Sequence, residues 1–296
     1  MSAIKNANKE DNMGLWFSEI ENDMISYGYK FNDVLFNDRS EYQSVKVIET
    51  EAVGRMMLLD DLIMVTDFDE FVYHEVISHI PVCLHKKPEK VVVIGGGDGG
   101  TVRELLKHQC IKEIVLCEID EMVVEASKKF FPDLGRFLND ERVTVRIGDG
   151  VAYMQEHAAG ELDLVIVDST DPIGPGEGLF CKDFYRSVSA ALKSDGMMVC
   201  QSESVWHRPE MLHRIHNNVS AGFDFRKSYI AGIPTYPRGT WSWTVGSKNP
   251  IIPEEYDRER FNQVKADLKY LNDQTMLSVF ALPNFYLDKL SRNSES

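Results

Sequence analysis

The sequence predicts an α/β protein: a doubly wound domain whose largely parallel sheet is closed by an antiparallel strand pair, preceded by a small antiparallel β domain. Three observations carry this reading. From residue 90 onward, short apolar runs alternate with helical patterns, as in successive β-α-β units. A glycine run, Gly95-Gly96-Gly97-Asp98-Gly99-Gly100, stands between the first of those strands and its helix. Before residue 67 the chain shows only short runs rich in Val, Ile, Leu and Met, separated by turn residues.

The elements follow in order. Strands are expected at 31–36, 44–50, 55–59 and 62–66, with Gly54 and Asp60-Asp61 as turns, giving one or two hairpins. The period then changes to that of a helix over 67–80, which has acidic residues in its first turn and should stop near Pro81. This change places the domain boundary between 66 and 67, with residues 1–66 as the β domain and 67–296 as the α/β domain. In the second part, strands are expected at 90–94, 113–118, 142–147, 162–168 and 196–201. Helices are expected from the glycine run to 107, at 120–130 and at 184–192. The run 162–168 is almost wholly apolar, as a strand covered on both faces should be. A closing strand pair is expected at 223–231 and 240–246.

Composition limits the function. With 43% hydrophobic and 27% charged residues over 296 positions, the chain has the makeup of a globular protein. Its 47 acidic and 32 basic residues leave a formal charge of −15. That sign argues against nucleic acid and anionic membranes as partners and in favour of cations. The five cysteines are odd in number and lack CxxC spacing, so a disulfide framework and a zinc site are disfavoured and a reducing cytoplasm fits. No apolar run approaches the roughly 20 residues of a membrane helix, and the N-terminus has no apolar signal core. His74-Glu75 with His79 imitates a zinc-protease motif. Its second histidine is one residue late, and a five-residue step rotates a helix about 140° beyond a full turn, so the two rings leave on different faces.

The glycine run, including Gly95 and Gly97, satisfies G-x-G-x-x-G in strand–turn–helix context, and Glu118 ends the next strand 18 residues after Gly100. An acidic residue there usually binds ribose hydroxyls, so the crevice should take a nucleoside. Asp98 lies inside the loop that would cradle a pyrophosphate. Like charges about 4 Å apart repel by up to ~4 kcal/mol at an effective dielectric of 20, so NAD is disfavoured. S-adenosylmethionine carries a carboxylate in its methionine part, and Asp98 opposes that too. A decarboxylated sulfonium ligand offers only an ammonium, which Asp98 would attract; alternatively Asp98 caps the helix. Gly148-Asp149-Gly150 closes the third strand and can accept an adenine amino group. Asp168-Ser169-Thr170-Asp171 follows the fourth. Asp98, Glu118, Asp149, Asp168 and Asp171 should therefore surround one mouth at the carboxyl ends of the strands and share a cation. No phosphate-binding lysine or P-loop accompanies them, which favours an amine over a metal. The Gly/Pro-rich stretch 173–180 reads as a lid or as a plain connection.

The run GGGDGG, with CEID at 117–120, GDG at 148–150 and DSTDPIGP at 168–175, resembles the spermidine synthases (polyamine aminopropyltransferases). So do SEYQSV at 40–45, TDFDEFVYHE at 66–75 and PTYPRGTWSW at 234–243. The likeness spans about residues 14–290, with Thr170 where many members carry a second serine. It implies a methyltransferase-like Rossmann domain, decarboxylated S-adenosylmethionine as co-substrate with no tightly bound cofactor, and putrescine as acceptor. The implied products are spermidine and methylthioadenosine. By motif position Gln43, Glu118, Asp149, Gly150 and Pro175 would hold the nucleoside and Asp98 the aminopropyl ammonium. His74, Asp168, Ser169, Thr170 and Asp171, with Tyr73, Gln201 and Tyr236, would line the amine channel. Asp168 would accept the proton, helped by the Tyr73 hydroxyl. Members are homodimers or homotetramers joined through the N-terminal domain. An amine N-methyltransferase, a non-catalytic polyamine-binding module and a dehydrogenase are the competing readings; Asp98 opposes the first and last, Glu118 and the glycine run the second.

Overall fold

The computed structural model describes residues 14–21, 23–157, 159–172 and 174–291, with Pro175 described in its backbone only. The N-terminal part is an antiparallel sheet of β1 (Leu15–Glu21), β2 (Ile25–Arg39), β3 (Ser44–Thr50), β4 (Gly54–Leu59) and β5 (Leu62–Thr66), paired in chain order. Leu59 pairs with Leu62, so Asp60 and Asp61 alone make the β4–β5 turn, both at positive φ (47° and 63°), the conformation that two-residue hairpins require. Strand β1 was not expected, and β2 begins earlier than the apolar run at 31. In β1 the inward positions are Phe17, Glu19 and Glu21, while Trp16 and Ile20 face out. The polarity pattern is inverted, so alternation could not reveal the strand.

The second sheet contains β6 (Lys90–Gly95), β7 (Glu113–Glu118), β8 (Val143–Ile147), β9 (Leu162–Asp168), β10 (Leu192–Gln201), β11 (Phe225–Ala231) and β12 (Trp241–Ser247). Their spatial order is β11-β12-β10-β9-β6-β7-β8, with the five from β10 to β8 parallel and β12 antiparallel to both its neighbours. The order reverses between β6 and β9, so their carboxyl ends form the crevice where open α/β sheets bind ligands. Every residue of β9 is buried, as its continuous apolar run requires.

Helix α1 (Glu70–Leu84) runs one turn beyond the expected stop. Pro81 lacks an N–H, but its carbonyl accepts from His85 N at 2.9 Å, and 12 of the 15 residues are buried; that burial carries the helix through. Helices α2 (Gly100–Leu106), α3 (Glu121–Phe130) and α4 (Pro132–Gly135) follow, then α5 (Gly150–Glu156), α6 (Lys182–Ala191) and α7 (Pro209–Val219). The chain ends with α8 (Arg258–Val264), α9 (Thr275–Ser278) and α10 (Asn284–Ser291). Val91 and Val93 point into a core with α1 and α2, while Val92 and Ile94 point into a second core with α6 and α7, the alternation expected of a two-faced sheet. The N-terminal sheet packs Val45, Val47, Met57 and Leu59 onto Val123, Ala126, Phe131 and Leu134 of the α3–α4 region, which places β4 and β5 over the crevice. Among the described residues no helix is long and apolar enough to cross a membrane.

The two histidines of the imitation motif part as the helix geometry demands. His74 turns to Asp98, and His79 to Glu104 and His108. Glu75 is a packing anchor: its carboxylate accepts the backbone N–H groups of Lys269, Tyr270 and Leu271 at 2.7–2.9 Å, tying α1 to the C-terminal segment.

Candidate active site

A cavity opens at the β6/β9 switch point and is roofed by the N-terminal sheet. It is lined by the glycine loop, by Glu118, Asp149, Gly150, Asp168, Ser169 and Thr170 at the strand ends, by Tyr73 and His74 of α1, by Tyr236, and by Gln43, Met57, Leu59, Met64 and Val65 from above. A second cavity adjoins it, sharing Tyr73, Ser169, Thr170 and Tyr236 and continuing to Glu19, Asp171, Gln201, His207 and Trp241. Their volumes are ≈ 120 and ≈ 40 Å³, so the first is the larger of the two.

The glycines make room for functional side chains. Gly95 is at φ +81° and pairs with Asp168, where a Cβ would stand 2.2 Å from the Asp168 carbonyl oxygen. At Gly100 a Cβ would stand 2.2 Å from the His74 ring, so the first residue of α2 must be small for His74 to reach the loop. Asp98 and Gly99 share the start of α2: Gly99 is the N-cap, at φ 88°, and the Gly100 N–H donates to Asp98 Oδ1 at 2.6 Å. Asp98 therefore does serve the helix end, as one alternative held, and through the same oxygen it meets His74 Nε2 at 3.2 Å.

One end of the first cavity is built around Glu118. Its Oε2 accepts from Gly97 N at 3.1 Å and its Oε1 from Asp120 N at 3.0 Å. Burial pushes its carboxyl up to about 7. Gln43 Nε2 donates to Asp120 Oδ2 at 3.0 Å, which ties the roof to the end of β7. Asp149 caps α5 through Val151 N at 2.8 Å and stands exposed at the rim.

A charged cluster lines the first cavity, beside Ser169 and Thr170, which also line the second. Asp168 Oδ2 accepts the Thr101 hydroxyl at 2.6 Å, and the Tyr73 hydroxyl stands close enough to act on it. Burial, and then the charge of Asp98, push the Asp168 carboxyl up to about 6. Burial works against ionisation of Asp98 as well, but the His74 charge and the Gly100 N–H outweigh it and hold that carboxyl below its usual value. Ligand atoms of His74, Asp98 and Asp168 lie within 4.8 Å of one another, close enough to hold a metal ion. Both His74 nitrogens already face carboxylates, Glu70 Oε2 at 2.6 Å and Asp98 Oδ1 at 3.2 Å, so what remains for a ligand is carboxylate oxygen. That set fits an ammonium as well as a metal.

A family model described as the spermine/spermidine synthase domain matches residues 70–256, and one described as the spermidine synthase tetramerisation domain matches residues 15–67. The chain belongs to the spermidine/spermine synthase family. Polyamine aminopropyltransferases of Bacillus mycoides and of a Thermoanaerobacter species are 42% and 43% identical to it over 276 residues, covering 93% of this chain and 99% and 98% of theirs. A crystal structure of a spermidine synthase in complex with the transition state analogue AdoDATO superposes with a TM-score of 0.91 at 35% identity, covering 94% of this chain and 96% of that one. The spermidine synthase of Thermotoga maritima gives 0.89 at the same identity, covering 94% and 95%.

Within this family fold, Gln43, Gly95, Gly97, Asp98, Glu118, Asp149, Gly150, Asp168, Ser169, Thr170, Tyr73, His74 and Tyr236 all line the first cavity. Asp171 and Gln201 do not. They line the second, so four of the five expected carboxylates share one mouth and Asp171 stands beyond it. The reason is the turn after β9, which carries the chain away from the sheet end; Gln201 Nε2 donates to the Thr170 carbonyl at 3.3 Å and faces that side. The side chain of Pro175 and residue 173 lie outside the described residues, while Gly176 and Leu179 of the 3-10 helix Gly174–Phe180 line the first cavity. Trp243 is core, and Trp206 lies against Phe285 at 4.4 Å between ring centroids, 56% exposed.

Three residues escaped the sequence reading: Glu70 and Arg103 stand behind His74, and Glu19 lines the second cavity. Of these only Glu70 left a signal, four residues before His74 in a helix. Glu203, one of the polar residues the sequence places near a strand end, lies buried beside Asp171.

Proposed function

We propose that this protein transfers the aminopropyl group of decarboxylated S-adenosylmethionine to putrescine, giving spermidine and methylthioadenosine. The observation that carries the reading is the pairing of Asp98 with Asp168 in the larger cavity, beside Ser169 and Thr170, which that cavity shares with the smaller one. In this reading Gln43, Glu118, Asp149, Gly150 and Pro175 hold the nucleoside of the donor. Asp98 takes the ammonium of its aminopropyl arm. A carboxylate 4 Å from an ammonium gains ~4 kcal/mol at an effective dielectric of 20 and repels a carboxylate equally, which sets the decarboxylated donor above S-adenosylmethionine.

The acceptor lies along the second cavity. Tyr73, Tyr236, Trp241, Ile63 and Met64 supply walls for a short methylene chain, with Asp171 and Glu19 in the same lining and Asp168 in the adjoining first cavity. The near amine nitrogen attacks the methylene carbon next to the sulfonium. The N–C bond forms, the C–S bond breaks, and its electron pair neutralises sulfur, so the leaving group needs no acid. One amine proton must go elsewhere. A lysine-like amine near 10.4 is roughly one part in 2,500 neutral at pH 7, a handicap of about 4.6 kcal/mol. Asp168 accepts that proton. Raising its carboxyl to about 6 narrows the mismatch with the amine by about two units while leaving it ionised at pH 7. Tyr73 stays a hydroxyl, since burial and the neighbouring Asp168 raise it well above 10, and it orients the Asp168 carboxylate. Holding the two cations for in-line attack supplies the larger contribution.

A homodimer or homotetramer built on the N-terminal sheet belongs to the same reading. Strand β1 turns Trp16 and Ile20 outward, 61% and 63% exposed, on the segment that matches a tetramerisation domain. The acceptor is tested by incubating the protein with the decarboxylated donor and equimolar putrescine, cadaverine and spermidine. Spermidine should dominate the products by mass spectrometry; spermine as the main product would overturn the assignment of the second cavity to a diamine.

A further inference from the structure

Behind Asp98 runs a line of alternating charge that the reaction does not touch directly. His74 is 2% exposed and faces a carboxylate at each ring nitrogen: Nδ1 is hydrogen-bonded to Glu70 Oε2 at 2.6 Å, and Nε2 lies 3.2 Å from Asp98 Oδ1. Carboxylates only accept, so a ring serving two of them needs an N–H at each nitrogen. Glu70 is gripped in turn by Arg103, whose two terminal nitrogens meet its two oxygens at 2.9 and 2.8 Å in the fork geometry of a strong pair. Arg103 Nε donates to Glu104 at 2.7 Å, and Glu104 is itself held by Lys107 and His79, which fixes the guanidinium to α2. Among the described residues the contacts of Asp98 with Gly100 and with His74 both fall on Oδ1.

We propose that Glu70 and Arg103 are positioning residues that keep His74 doubly protonated and, through it, hold Asp98 ionised. The inference rests on the reading of Asp98 as the ammonium site. A neutral His74 would satisfy only one carboxylate and leave the other facing a ring lone pair, which would swing Asp98 or protonate it; either outcome weakens a cationic donor. The groups facing the ring are Glu70 and Tyr73 from α1, Asp98 from the loop and Asp168 from β9, with Arg103 of α2 behind Glu70 and Tyr236 behind Tyr73. Burial alone would lower the ring, yet Asp98 and Glu70 together push it up to about 10.

The test reads His74 directly. Ring nitrogen and Cε1–H resonances of ligand-free protein, assigned by their loss in His74→Asn, are followed from pH 5.5 to 9.5. In the wild type the ring should stay charged to at least pH 9. In Glu70→Gln, which keeps the shape, the midpoint should fall by one to three units. In Arg103→Met it should fall less, and Arg103→Lys should restore most of the difference. Affinity for the decarboxylated donor in Glu70→Gln should then drop about tenfold between pH 7 and 9, against a flat wild-type profile. A ring that is neutral in the wild type at pH 7.5, or whose midpoint is unmoved in Glu70→Gln, overturns the proposal. The resonances involve no donor, so a shifted ring with no preference for the decarboxylated donor would refute the ammonium site while leaving the charge line standing.

Discussion

Replacing Asp168 by Asn separates a proton acceptor from a mere binding charge through its pH dependence. On the proposed mechanism the wild-type enzyme uses ionised Asp168 and a protonated amine. Its kcat/KM should therefore rise through about pH 6, where the carboxyl ionises, and stay flat until the amine deprotonates near 10. The Asn variant has no acceptor and must wait for amine that arrives neutral, roughly one part in 2,500 at pH 7 and one part in 25 at pH 9. Its rate should climb tenfold per pH unit, so the deficit should shrink from about 2,500-fold to about 25-fold between those values. A lost binding charge alone would add a deficit of the same size at both pH values. The assay is release of methylthioadenosine under subsaturating putrescine, with donor affinity measured separately. A deficit that does not change between pH 7 and 9, or a donor dissociation constant that rises in step with the lost turnover, would refute the role given to Asp168.

Three further outcomes follow from the same geometry. Asp98→Leu should weaken the decarboxylated donor at least tenfold while leaving S-adenosylmethionine unchanged or tighter, measured by calorimetry; equal losses for both would contradict the ammonium site. Gly100→Ala should abolish most activity although helix propensity alone forecasts a gain of up to ~1 kcal/mol, because the new Cβ would stand 2.2 Å from the His74 ring; a fully active variant would show that the ring can move without consequence. Glu203 is fully buried, with neither carboxylate oxygen hydrogen-bonded among the described residues, and burial followed by the nearby Asp171 pushes it up to about 9. Between its ordinary value near 4.5 and about 9 the folded state holds the proton more tightly than the unfolded one, so this group's contribution to stability is present at low pH and is lost as pH rises, by at most about 1.4 kcal/mol per unit. Glu203→Gln should remove that loss, so its melting temperature should gain on the wild type from pH 6 to 9; parallel profiles would count against it.

What could be read from the sequence depended on whether burial and polarity agreed. Strands β7 and β9 match their expected ends because each is an apolar run closed by an acid, Glu118 or Asp168, that belongs to the crevice. Strand β1 was illegible because it turns Glu19 and Glu21 inward and Trp16 and Ile20 out, the reverse of a half-buried strand. Helix α1 outlasted Pro81 because one missing N–H weighs less than a buried turn. In the site, Asp98, Glu118, Asp149 and Asp168 were legible together because each ends a parallel strand or opens its loop, and topology brings those ends to one place. Asp171 parted from them through a turn whose course no spacing records. Arg103 was invisible because its importance comes only from standing behind Glu70.

The central claim is that an acidic cluster selects a cationic sulfonium donor and passes its aminopropyl arm to an amine. Product analysis with purified protein tests it most directly. Putrescine is offered with decarboxylated S-adenosylmethionine in one reaction and with S-adenosylmethionine in a parallel one, and both are read by mass spectrometry. The account predicts spermidine and methylthioadenosine from the decarboxylated donor and no product from the other. A methylated amine, or a bound decarboxylated donor that yields nothing, would contradict it.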